Sequence, residues 1–116
     1  MLRKVRLELA RCHEFPEGSP THGYELAVPL TSHGKLDHEA WLKHRHTASF
    51  RRFWGEEEKR GELRHDRRGW FLSFAPEGAE DEVIFKGDQH RFAAGEYLSI
   101  KEHDGITRTF RVASVQ

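Results

Sequence analysis

In the stretch KVRLELARC, Val5, Leu7 and Leu9 alternate with Arg6, Glu8 and Ala10. A two-residue period places alternate side chains on opposite faces, so this segment can bury one side only as a β-strand. The same period returns in YELAVPL, where Tyr24, Leu26, Val28 and Leu30 share a face, and in SFRRFW. It recurs in WFLSFA, where Trp70, Leu72 and Phe74 fall together. VIFKG, EYLSIKE and ITRTFRVASV bring the total to about seven short strands. Pro29 lies on the opposite face near the end of its run, which predicts an edge strand. Asp104-Gly105, set between two alternating runs, predicts a type I′ hairpin. GEEEKRGELRHDRRG reads as a long turn or a loosely paired hairpin, and PEGAEDE as a turn. Glu80-Asp81-Glu82, ahead of the apolar run Val83-Ile84-Phe85, reads as a charged guard against aggregation.

One segment breaks the two-residue period. Around HEAWLKHRH, Asp37 is a suitable N-cap, Glu39 favours the first turn, and Leu36 and Trp41 take the N′ and N4 positions of a hydrophobic staple. A short helix over 37–46 follows, with Trp41 and Leu42 as core anchors. His38-Glu39 starts the zinc-protease pattern H-E-x-x-H, but Leu42 stands where the second ligand belongs. His44 is six residues on, roughly 120° around and about 9 Å along the helix, too far for one zinc ion. These histidines read as solvated side chains, and no metal is expected.

The fold class is therefore mainly β (α+β): one domain over residues 1–116, built as a small, partly closed barrel of about seven strands with one short helix plugging an end. Charged residues make up 33% of the chain and hydrophobic ones 36%, a balance that would favour disorder without the eight Phe, three Trp and two Tyr. Net charge is zero, which does not suit a whole-surface polyanion binder. No run approaches the roughly 20 apolar residues of a membrane span. The start of the chain lacks the apolar core of a secretory signal. Cys12, the sole cysteine, permits no internal disulfide, and together these point to the cytoplasm.

No catalytic residues are expected. Cys12 and His13 are neighbours on a strand and point to opposite faces, so they cannot pair as nucleophile and base. Ser49, Ser73, Ser99 and Ser114 lack the strained elbow of a serine nucleophile, and no glycine-rich phosphate loop is present.

The C-terminal run RFAAGEYLSIKEHDGITRTFRVASV resembles, over about 25 residues, the barrel of ferredoxin-reductase-like flavoproteins. There a strand of the form PG-Q/E-Y precedes a flavin-binding R-x-Y-S/T strand. Gly95-Glu96-Tyr97 matches the first, and Arg108 matches the arginine of the second. Phe110 and Arg111 depart from the tyrosine and the Ser/Thr. With no nucleotide domain following, no cofactor is expected. The chain as a whole resembles small, uncharacterised bacterial proteins, a likeness that implies no activity and no site residues.

Residues 43–68 carry nine basic side chains against five acidic ones. Within and just beyond them, aromatics interleave with arginines over 50–71, a pattern by which small barrels bind single-stranded nucleic acid. With Phe50 and Trp54 inward, Arg52 shares their face, while Arg51 and Phe53 turn outward. Arg51, Arg52, Phe53, Arg64, Arg67 and Arg68 are the candidate RNA- or anion-binding residues, with Phe53 as an exposed stacking platform. Glu56, Glu57, Glu58, Glu62 and Asp66 can neutralise them. The reading preferred from sequence is a non-catalytic binding module for a protein partner, through a sheet edge or self-association. Single-stranded RNA is the alternative.

Overall fold

In the computed structural model, which describes residues 2–75, 80–84 and 86–116, eight antiparallel strands follow one another around a closed barrel. In chain order they are β1 (Leu2–Leu9), β2 (Ser19–Pro29), β3 (Ser49–Trp54), β4 (Glu57–Asp66), β5 (Gly69–Ala75), β6 (Glu82–Ile84), β7 (Tyr97–Lys101) and β8 (Thr107–Val115). β8 returns to pair with β1 and closes the cylinder. The β-rich barrel with one short helix is thus the architecture its alternating runs imply. Closure leaves β1 and β8 no free edge between them, which removes the sheet-edge mode of partner binding at that seam.

An eight-stranded barrel is just wide enough for its own side chains to fill. Val5, Leu7, Tyr24, Leu26, Val28, Leu63, Leu72, Ile100, Phe110 and Val112 are all within 1% of complete burial. Space is tightest where strands coil. A Cβ on Gly61, which pairs with Phe50 on the neighbouring strand, would lie 2.0 Å from the Ser73 carbonyl oxygen and 2.7 Å from the Phe50 ring.

The local differences have physical causes. β2 lies between β1 and β3, not at an edge. Its pairing with β3 ends at Ala27, so Pro29 loses no bond to that neighbour, and its carbonyl accepts from Asp37 N. The charged stretch, read as a long turn or a loosely paired hairpin, holds β4, ten residues long and paired on both sides; its Glu58 meets Arg51 of β3, and Arg60 and Arg64 pair along β4 with Glu58 and Glu62, which offsets weak strand propensity. The β7–β8 connection is a hairpin, but only Gly105 has positive φ (83°), so it is not the type I′ turn, which needs two such residues. Cys12 lies in the β1–β2 loop, partly buried against the core, and not on a strand. Of the predicted PEGAEDE turn, 76–79 lie outside the described residues, as does Phe85.

The helix α1 spans His38–His44, and Asp37 caps it by accepting from Ala40 N. Leu36 and Trp41 are buried as the staple requires, but Leu42 is 50% exposed and anchors nothing. At about 100° per residue, the helix can turn only one of the adjacent pair inward. No described helix is long and apolar enough to cross a membrane.

Candidate functional site

The basic-aromatic segment divides into three environments. Arg51 points outward from β3, forms a close ion pair with Glu25 on β2, and lies 3.2 Å from Glu58 on β4. Glu58 also holds Arg60 at 2.7 Å. On the other side Glu25 faces Arg6 at 3.7 Å, Arg6 binds Glu8 at 2.8 Å, and Glu8 faces Arg111 at 3.7 Å. A belt of alternating charge therefore runs from β8 across β1, β2 and β3 to β4. The hydrogen bond from Arg51 holds the Glu25 carboxyl below its usual range. Beneath the belt lies Phe53, with the Arg6 and Arg51 guanidinium carbons 4.6 and 5.1 Å from its ring centroid. Only 7% of Phe53 is exposed. It points outward as expected but is no stacking platform, because two guanidinium groups already cover its faces.

Arg52 points into the barrel and cannot reach a polymer outside. Its Nε donates to Glu102 Oε2 at 2.9 Å, and its guanidinium sits 4.1 Å over the Trp54 ring. Glu102 also accepts from Arg108 Nη1 at 2.7 Å and from the Tyr24 hydroxyl. Tyr24 Oη lies equally close to Glu82 on β6, and Glu82 Oε2 accepts from the backbone N–H of His103 and contacts its Nδ1. Glu14 and Asp104 meet Arg108 at the rim. Glu82 thus has an interior structural role, not that of a surface guard. Arg108, the residue carrying the flavoprotein likeness, is 93% buried against carboxylates, and Phe110 is wholly inside the core; neither is placed to meet a flavin. Every buried side-chain N or O among the described residues has a hydrogen-bond partner. Glu82 and Glu102 are 0% and 2% exposed.

Arg64, Arg67 and Arg68 do come together, on the β4–β5 hairpin. Arg68 binds Asp66 at 3.0 Å and Asp81 at 3.3 Å while lying 4.3 Å over Phe71. Arg64 contacts Glu62 at 3.3 Å. Arg67 is exposed at the turn.

Beside this hairpin, between α1 and β4–β5, is a notch of about 280 Å³. Trp41, Leu63 and Phe71 line its apolar part, and Arg45, Arg64, His46 and His65 its basic part, with Glu62 the acidic member. The staple explains Trp41: its indole Nε1 donates to the Leu63 carbonyl at 2.9 Å, and its ring meets Trp70 edge-on at 5.5 Å. The His65 ring packs at a tilt against His38 and Trp70, both 4.6 Å away between centroids. Burial, and secondarily the nearby His38, lower its pKa. Sequence order hid this notch because it joins a helix to two strands distant in the chain, Trp41 lying 22 residues before Leu63. The two clues were Trp41 in the staple and the arginines of 64–68.

No group of three or more His, Cys, Asp or Glu among the described residues is placed to hold a metal. No protein-family model, curated protein or solved structure matches this chain.

Proposed function

We propose that this chain is a non-catalytic module that binds another protein, through the notch between α1 and the β4–β5 hairpin. The observation that carries the reading is the notch of about 280 Å³ itself, in which a cationic rim, Arg45 and Arg64, stands beside the largely buried rings of Trp41 and Phe71. An apolar side chain inserted between flanking carboxylates would match both, so the ligand is an acidic segment of a partner protein with an aromatic or leucine anchor. A filled interior and two inaccessible buried carboxylates support a role without catalysis. The setting that fits is the cytoplasm of a bacterium.

The competing ligand, single-stranded RNA, would use Arg64, Arg67 and Arg68. The belt neutralises Arg51 and covers Phe53, and Arg52 is interior, so half of the residues such an interface needs are engaged elsewhere. Amide NMR titrations separate the two. A synthetic peptide with one phenylalanine among aspartates should move the Trp41 indole N–H and the Leu63, His65 and Phe71 amides, and Arg45→Glu should weaken it. Shifts centred on Arg67 and Arg68 with mixed-sequence RNA, reversed by moderate salt, would transfer the function to nucleic acid. Silence from both ligands would sink the notch as a binding site.

A further inference from the structure

Tyr24 owns one hydroxyl proton yet faces two carboxyl groups. Its oxygen lies 2.6 Å from Glu82 Oε1 and 2.5 Å from Glu102 Oε2. Both are distances at which a proton lies between two oxygens, and one hydroxyl proton can occupy only one of them. With both carboxylates ionised, the other contact would set lone pair against lone pair inside a dry barrel, where Tyr24 and Glu82 are 0% exposed and Glu102 2%. Tyr24 does not resolve the conflict by ionising, because burial and both carboxylates hold its phenol well above the ordinary range.

We infer that the barrel keeps a second, resident proton on Glu82, so that Glu82 Oε1 donates to Tyr24 Oη and Tyr24 in turn donates to Glu102 Oε2. The partners of each carboxyl fix this direction. Glu102 meets a guanidinium donor on each oxygen, Arg52 Nε at 2.9 Å on Oε2 and Arg108 Nη1 at 2.7 Å on Oε1, and is the natural anion. Glu82 takes its bonds from His103 on Oε2, with Arg52 Nε farther off at 3.8 Å. The Tyr24 hydroxyl is the one hydrogen-bond partner of Glu82 Oε1 among the described residues. The charges of Arg52 and Arg108 are met by Glu102, Glu14 and Asp104 without Glu82.

The proton sits on the shortest strand among the described residues. β6 is three residues long and pairs through two residues on each side, Phe71 and Leu72 of β5, and Ile100 and Lys101 of β7. A neutral Glu82 lets this strand seat its side chain in the core, and the proton acts as its latch.

Infrared spectroscopy of the whole protein at neutral pH tests the inference. The carbonyl band of one buried carboxylic acid should be present in the wild type. It should vanish in Glu82→Gln, whose amide keeps the shape and donates to Tyr24 in the proton's place. No acid band in the wild type overturns the proposal. A band that survives Glu82→Gln but is lost in Glu102→Gln overturns the assignment to Glu82. Failure of Glu82→Gln to fold counts against it as well, because an amide should replace a neutral acid there and cannot replace an anion.

Discussion

Replacing Arg52 with methionine isolates the worth of the interior charge. Methionine keeps most of the aliphatic stem but removes the guanidinium that donates to Glu102 and covers Trp54. Removing one partner of a buried ion pair costs about 3–5 kcal/mol, because the remaining charge loses its compensation. Glu102 keeps Arg108 Nη1 and the Tyr24 hydroxyl, which places the cost near the lower end, about 3 kcal/mol. Against a total stability on the order of 10 kcal/mol for a domain of this size, that is a large fraction. With a urea m-value of about 1.5 kcal/mol/M, the midpoint falls by about 2 M. Tryptophan fluorescence reports it directly, since Trp54 lies under the removed group. Arg60→Met is the control: 72% exposed and paired with Glu58 at the surface, it should shift stability by less than about 0.5 kcal/mol. Combining Arg52→Met with Glu102→Gln should cost less than the two separately, because they share one interaction. If Arg52→Met moves the midpoint no more than Arg60→Met, the interior charge is hydrated and the reasoning fails.

Phe53→Ala should cost about 3 kcal/mol in urea unfolding, as for a buried aromatic; a loss below about 1 kcal/mol would mean that Arg6 and Arg51 do not seal it. Gly61→Ala should lower stability by at least the roughly 1–3 kcal/mol of ordinary overpacking, since the clash is with a backbone oxygen; unchanged thermal unfolding would contradict the close β4–β5 approach. Against the proton taken up at Glu82, which favours the fold as pH falls, the histidines and the other carboxyls should weaken it in two stages. The lowered values of His65 and His22 mean that the native state favours their neutral forms. Their contribution is whole above about pH 6.5 and is lost as pH falls from there through the lowered values. The depressed carboxyls of Glu25 and Asp104 act in a separate, lower window, below about pH 4.5. His65→Phe should flatten part of the first stage in urea midpoints taken from pH 8 to 5, and an undiminished slope would show that His65 is not its source.

The alternation of Val5, Leu7 and Leu9 and of Tyr24, Leu26 and Val28 determined by itself which faces are buried, because a strand has only two faces; on β5 the alternation was not enough, since Phe71 and Ser73 are buried opposite Trp70, Leu72 and Phe74. The cap and staple around Asp37 and Trp41 likewise determined where the helix starts, since each is a contact within five residues. β4 was not legible in this way: its strand character comes from Arg51, Phe71 and Ser73 lying opposite it, partners that exist only once the sheet is formed. For the same reason Glu82 read as a surface guard and Arg52 as a nucleic-acid contact, while nothing in the sequence singled out Glu102 or joined Arg108 to it. Each is hydrophilic in isolation, and burial is tolerated only because four distant segments bring opposite charges and a tyrosine together. Closure of the barrel, the covering of Phe53 and the notch beside Trp41 were also decided by tertiary structure. Local sequence fixes which way a side chain points along its own strand, but what it meets there depends on strands tens of residues away.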